Sequence, residues 1–309
     1  MSVVGEEVEL FAQLLVNGII AGSIYALVAL GFTIIYRTVK FFHFAHGVVY
    51  TAGAYIAYSV VSLQSSVASW VIGVLAGIIG ASILGVIIDK TVYRPLRQRK
   101  ASNLIFLLAS FGVFIFIQNL IQLIYGAQIL TLRTGPIKEG YQLSVFGYQL
   151  GAVITQIQII ILVMSFLLLI FCWLFMHKTK LGKAMRAVSD DPLAASVAGI
   201  NPEKTIFYSF AIGSALAGAA GILISLETNI EPTMGFMALL KGIIASIVGG
   251  IGSIPGAMLG GFFLGIVENL GIWKIQAGWK DTIAFLILII FLLVRPGGIF
   301  GIKTEKEQL

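Results

Sequence analysis

Residues 10–36 read LFAQLLVNGIIAGSIYALVALGFTIIY and contain no Asp, Glu, Lys or Arg. A bilayer core is crossed by about 20 predominantly apolar helical residues. A run this long without charge has no polar face to show to water, so its solvent is lipid. It exceeds the length needed for one crossing, which predicts a span that is tilted or broken.

The rest of the chain repeats the pattern. Of 309 residues, 58% are hydrophobic and 11% charged, where soluble domains carry roughly 25% charged residues. Mean hydropathy is +0.99. Apolar runs recur at 10–36, 47–63, 67–88, 104–125, 152–176, 205–226, 238–251, 255–272 and 282–294. The expected fold is an all-α polytopic membrane protein with about eight or nine transmembrane helices, some broken or re-entrant. Residues 1–309 read as one transmembrane domain. The alternating short segments of an outer-membrane barrel are not seen. The 35 glycines suit close helix approach and broken helices. Cys172 sits in an apolar run and reads as a small buried hydrophobe. The opening MSVVGEEVEL has no basic region and no small-residue cleavage site, so the first run reads as a retained span and not a signal peptide.

Loop charges orient the set. Segments 37–40, 90–100, 178–204 and 295–306 hold 2, 5, 5 and 3 basic residues, 15 of the 20 in the chain. The other five are Arg133, Lys138, Lys241, Lys274 and Lys280, counted with the remaining loops and ends. Nine alternating spans place all fifteen on one face, which the positive-inside rule makes cytoplasmic. The acidic N-terminus then lies outside and the C-terminus inside. A re-entrant seventh segment would change that parity. The external segment 126–150 carries Gly135-Pro136 and reads as a short lid or docking surface.

The segment 182–200, GKAMRAVSDDPLAASVAGI, departs from this apolar background. Lys183, Arg186, Ser189, Asp190 and Asp191 fill its first half. Ser189 or Asp190 is suited to cap a helix with Pro192 in its first turn. Ala194, Ala195, Val197 and Ala198 follow, and Gly199 is a stop signal. Two short helices joined by a turn are predicted, the second offering small residues to a close partner. A cytoplasmic loop (178–204) of this kind serves either as an ordinary connection or as a coupling element.

Polar residues within spans mark packing or a pathway: Asn17, Thr33, Gln118, Asn119, Gln122, Glu268 and Asn269. Gln118 and Gln122 share a helical face and suit interhelical hydrogen bonds. Asn17 and Glu268 lie near span ends, where solvation explains them equally well. His43 and His46 form an H-x-x-H pair, but two ligands do not make a metal site. Tyr50 and Tyr55 read as core aromatics or conduit lining. The Gly249-Gly250-Ile251-Gly252-Ser253 segment has backbone groups free to face a cavity. With His46, Gly47 and Tyr50, the residues Gly249, Gly250, Gly252 and Ser253 are the candidates for a translocation path. Glu227 and Glu231 sit at an external span end beside Pro232.

The 182–200 loop resembles the Glu-Ala-Ala-x-x-x-Gly coupling segment of ABC-importer permeases, with Leu193 in place of the family Glu. The whole chain resembles the branched-chain amino acid permeases of the LivH type. The matching stretches are 17–37 (NGIIAGSIYALVALGFTIIYR), 43–55 (HFAHGVVYTAGAY), 182–201 (GKAMRAVSDDPLAASVAGIN), 210–223 (FAIGSALAGAAGIL), 247–261 (IVGGIGSIPGAMLGG) and 295–301 (RPGGIFG). They follow in order over nearly the full length. The family commonly has Asn where this chain has His43.

The resemblance implies a bacterial inner-membrane permease subunit of an ATP-driven importer of branched-chain or neutral amino acids. It implies a second related permease, two cytoplasmic ATPase subunits and an extracytoplasmic substrate-binding protein as partners, within membrane lipid. ATP and Mg would sit on the ATPase subunits, since this chain has no G-x-x-x-x-G-K-[ST] sequence and is expected to hold no cofactor or metal itself. Lys183, Arg186, Asp190, Asp191, Ala194, Ala195 and Gly199 are the expected ATPase-coupling residues, with Ala195 and Gly199 at the partner's surface. Import of urea or short amides fits the same resemblance. A stand-alone channel or secondary transporter is the reading from another class; its mark would be charged pairs inside the spans, which look sparse here. No basic patch with interleaved aromatics points to nucleic acid, and no acid–base or nucleophile cluster points to an enzyme.

Overall fold

A computed structural model describes residues 3–63, 66–132, 140–145 and 148–301. Helix α1 spans Val3–Val39 and α2 spans Ala45–Val61. Helix α3 (Val67–Ile88) runs through a π turn at Asp89–Tyr93 into α4 (Arg94–Gln98). Helix α5 is Asn103–Tyr125. A hairpin of β1 (Tyr141–Val145) and β2 (Tyr148–Ile154) precedes α6 (Gln156–Lys178). Two short helices follow, α7 (Lys180–Asp190) and α8 (Pro192–Val197). Then come α9 (Pro202–Glu227), α10 (Met234–Gly249), α11 (Ile254–Gly271) and α12 (Lys280–Val294). Among the described residues seven helical segments are long and apolar enough to cross a membrane, and α10 is a shorter apolar helix. The fold is all-α and polytopic, as the sequence predicts.

The long first run is not broken. It is one helix of 37 residues, about 55 Å at 1.5 Å per residue, longer than a bilayer core. It is also the centre of the molecule. Its most apolar window is 83% buried, against 28% for the corresponding windows of α3, α5 and α6 and 11% for α12. Helix α1 packs most extensively on α11 and then on α9 and α10, and the outer helices give their large apolar side chains to lipid.

Backbone-to-backbone approach makes that central packing possible. A Cβ on Gly22 would lie 2.8 Å from Phe262 Cα, and one on Gly31 would lie 2.7 Å from Gly213 O. Lipid gives no hydrophobic drive between helices, so close van der Waals contact across small residues does the work. The segment after α1 folds back inward. His46, at the start of α2, reaches the level of Gly31, where its Cε1 would be 3.0 Å from an added Cβ. Ser110 of α5 accepts from the Phe44 N–H at 3.2 Å and donates to the Phe42 carbonyl at 3.2 Å, so this irregular backbone is satisfied inside the protein.

Two expectations need correction. The fifth expected span, α6, begins at Gln156 and not at 152, because Thr155 and Gln158 form a reciprocal capping box there. The residues before it belong to β2, an antiparallel partner of β1 with Tyr141 opposite Ile154, so short β structure is present. The hairpin is tied to the N-terminal part of α1: Gln13 donates to the Val153 carbonyl at 3.1 Å and accepts from its N–H at 2.8 Å. Much of the expected external lid, including Gly135-Pro136, lies outside the described residues. Its near end is held by paired backbone bonds between Leu130 and Ile230.

The Gly22→Val variant is expected to lose about 1–3 kcal/mol by overpacking, read as a lower unfolding midpoint in detergent. Gly112→Ala is the control. A Cβ there meets nothing within 4 Å, so stability should hold or rise slightly through better helix propensity.

Candidate coupling site and intramembrane network

The 182–200 segment folds into two short helices with a turn between them, but the cap is shifted by one. Asp191, not Ser189 or Asp190, accepts the N–H groups of Leu193 at 2.8 Å and Ala194 at 3.1 Å. Pro192 takes the first helical position, where no N–H is needed. Gly199 ends the helix with φ of 81°. The Ile200 N–H bonds the Ala195 carbonyl at 2.9 Å and the Gly199 N–H bonds that of Ser196 at 3.0 Å, a Schellman arrangement.

Helix α7 is amphipathic and seated. Gly182, Met185, Val188 and Ser189 are buried. Arg186 hydrogen-bonds the Met176 carbonyl at the end of α6. Arg37, in the last turn of α1, donates from Nε to Ser189 Oγ at 2.9 Å and pairs with Asp190 at 3.5 Å. Lys183, Asp190 and Asp191 are exposed. Burial and the neighbouring Arg37 charge push Lys40 below the usual lysine range, with Asp190 opposing.

The surface offered outward differs from the expected stripe of small residues. Ala195 is buried at 4% exposure, beneath α8. Gly199 is exposed, with nothing near enough to touch an added Cβ, so its role is the left-handed turn and not a close approach. Leu193 and Val197, four residues apart on one helical face, stand 80% and 91% exposed, with Ala194 and Ala198 beside them. The Leu at the family's Glu position is thus half of a protruding apolar pair. A second polar cluster holds the same face of the molecule: Arg97 pairs with Asp89 at 2.6 Å and Glu203 at 3.1 Å, joining α4, the π turn and α9.

The other candidates are packed within the bundle. His46 is buried with Nε2 3.3 Å from the Val28 carbonyl. His43 Nδ1 lies 2.9 Å from Tyr93 Oη. Gly47 abuts Gly235, where an added Cβ would be 2.5 Å from the carbonyl oxygen. Tyr50 is buried against Gly221 of α9. The 249–253 turn joins α10 to α11. Its backbone is not left free: Ile299 and Phe300 donate to the Val248 and Gly249 carbonyls at 2.8 and 2.9 Å. Gly250 and Gly252 have φ of 111° and 85°, and Ser253 caps α11 by accepting from Gly256 N at 3.2 Å. Thr33 donates to Ser246 Oγ at 3.1 Å, while Asn119 turns back on Ile115 of its own helix.

Lys241, counted with the loop charges although it falls within the apolar run 238–251, lies inside α10. Its Nζ is 2.6 Å from Glu268, 2.9 Å from Asp281 and 3.1 Å from Tyr25 Oη. Glu268 is 1% exposed. An ion pair within the spans is therefore present, linking α1, α10, α11 and α12. Lys241 was separable from the loop charges only by noticing that the apolar run continues on both sides of it.

The described residues form a helical, polytopic membrane domain that carries an exposed short helix pair. Residues 14–292 match the family described as the branched-chain amino acid transport system / permease component. The chain is 37% identical to the high-affinity branched-chain amino acid transport system permease protein LivH of Salmonella typhimurium, over 97% of this chain and 98% of that one. It is 39% identical to the corresponding permease BraD of Pseudomonas aeruginosa, over 98% and 99%. It is 31% identical to the probable branched-chain amino acid transport permease LivH of Methanocaldococcus jannaschii, over 95% and 94%. The chain belongs to this family of transport permease components.

Lys241→Met leaves Glu268 buried without its partner, a change expected to cost about 3–5 kcal/mol. The double variant Lys241→Met, Glu268→Gln should recover part of that loss. Thermal unfolding in detergent reads both, and an additive double variant would contradict the pairing.

Proposed function

We propose that this chain is the permease subunit of an ATP-driven importer that moves branched-chain or other neutral amino acids across a bacterial inner membrane into the cytoplasm. A second related permease completes the pathway. Two ATPase subunits, carrying ATP and Mg, dock on the cytoplasmic face, and an extracytoplasmic binding protein delivers the substrate. The coupling loop and C-terminus are cytoplasmic and the N-terminus is outside. Urea or short amides are the runner-up cargo.

The observation that carries this reading is the Leu193–Val197 pair. Two large apolar side chains facing water on a helix end gain nothing in an isolated chain, and they form the anchor expected of a docked helix. The helix is rigidly founded, through Asp191, Gly199 and the Arg37 bonds to Ser189 and Asp190. Movement of an ATPase groove is thereby passed to α1 and not absorbed by a loop, and coupling requires such differential contacts in the two states. Lys183 and Asp191 are exposed beside it and supply a polar rim. The opening between spans is a rocking motion of the two permeases. His46, Gly47, Tyr50 and the 249–253 turn flank that path as packing elements behind its wall. The Lys241–Glu268 pair is the mark of the stand-alone transporter reading, but its charges are joined to one another and the coupling helix would have no use there.

The test is uptake by the co-expressed complex in proteoliposomes. Labelled leucine is expected to accumulate only with internal ATP. Leu193→Asp and Val197→Asp should each cut uptake and substrate-stimulated ATPase activity at least about tenfold, the rate equivalent of about 1.4 kcal/mol, while the chain stays folded. Ala195→Trp should instead unseat α8 and lower stability. Accumulation driven by an ion gradient without the ATPase would contradict the proposal.

A further inference from the structure

A cavity of about 290 Å³ opens where α1, α6, α9, α11 and α12 meet. Its polar lining comes from Asn17, Gln158, Asn269, Glu227 and Lys280, and Tyr25 forms its inner end. Ile20, Ile24 and Ile224 supply an apolar wall. Glu227 is the last residue of α9 and Lys280 the first of α12, so the cavity lies at the membrane face opposite the coupling helix. The Tyr25 hydroxyl that ends it accepts from Lys241, placing the buried ion pair directly beneath.

We propose that this cavity binds a free zwitterionic amino acid with an aliphatic side chain, with Glu227 taking the α-ammonium, Lys280 the α-carboxylate and the isoleucine wall the side chain. This deepens the importer reading and rests on it for the cargo's class.

Three features carry the inference. The cavity holds one fixed carboxylate and one ammonium, each in a single orientation: Gln158 donates to Glu227 at 2.8 Å and Lys280 donates to Asn269 at 2.8 Å. Both charged groups keep further capacity, since a carboxylate accepts several bonds and an ammonium donates three. The helix ends add to the same polarity. Carbonyls at the C-terminus of α9 favour a cation and the N-terminus of α12 favours an anion. Asp281, the acid nearest the anion end, is drawn away by its 2.9 Å pair with Lys241. At ~30 Å³ per water, the space admits a small amino acid with several waters. An amine lacking a carboxylate, or an acid lacking an amine, would leave one charge unmet in a half-buried site.

A zwitterionic phospholipid headgroup has the same pair of charges, so the experiment separates the two. The full chain, in nanodiscs of phosphatidylcholine, is photolabelled with the diazirine analogue of L-leucine and the adducts are mapped by mass spectrometry. The expected adducts fall on α1 and α9 around Ile20, Ile24 and Ile224. Excess L-leucine should suppress them, while isoamylamine and 4-methylpentanoate should not. Glu227→Gln and Lys280→Gln keep the hydrogen bonds to Gln158 and Asn269 and should each lower labelling roughly tenfold, the equivalent of about 1.4 kcal/mol. Adducts elsewhere, labelling unchanged in both variants, or labelling displaced by phosphatidylethanolamine would overturn the proposal. Since no nucleotide is present, a failure here is separate from a failure of ATP-driven uptake.

Discussion

A central helix longer than the bilayer can be surrounded only if its neighbours come backbone to backbone, and that constraint governs the whole molecule. Gly22 meets α11 and Gly31 meets α9 at distances that leave no room for a Cβ. With α1 enclosed in this way, α9, α10 and α11 take fixed places around it, and α3, α5, α6 and α12 are left to face lipid. The helix then connects the two faces of the protein. Its N-terminal part holds the β-hairpin through Gln13, its middle meets the buried ion pair through Tyr25, and its C-terminal end grips α7 through Arg37.

The two ends differ in chemistry for physical reasons. At the end that carries α7, charge is dispersed in small clusters that join elements, as with Arg97 between Asp89 and Glu203. There Leu193 and Val197 of the short helix α8 stand 80% and 91% exposed, an exposure that a docked partner would relieve. At the end that carries the hairpin, opposite charges line a cavity and the floor is a network in which one lysine meets two acids. A charge inside lipid is costly and needs a partner close by, so Lys241, Glu268 and Asp281 act as one unit that pins α10, α11 and α12 to α1.

Much of this was legible in the sequence because the signals are collective. Nine apolar runs, fifteen basic residues on alternate loops and the Pro192–Gly199 bracket each rest on several residues that agree. What stayed hidden depends on side-chain direction. On a six-residue helix the difference between an inward Ala195 and an outward Leu193 is a rotation of the helix, which composition cannot fix, so the small residues were taken for the contact surface. Lys241 falls within the apolar run 238–251, and what the sequence does not show is that Glu268, far along the chain, is brought to it. The strands at 141–145 and 148–154 are hidden because a short hairpin beside a long apolar run looks like the start of that span.

The central claim is that α1 and the coupling helix move as one body. The direct measurement is the distance between spin labels at Phe11, on the outer part of α1, and Lys183, on α7, in the assembled transporter by pulsed electron resonance. Both sites are exposed in this chain. The distance distribution is expected to stay unchanged between nucleotide-free and ATP-bound states, while distances from Lys183 to the second permease shift. A change of several ångströms within the chain itself would mean that the loop swings on its own, and would contradict α1 as the link.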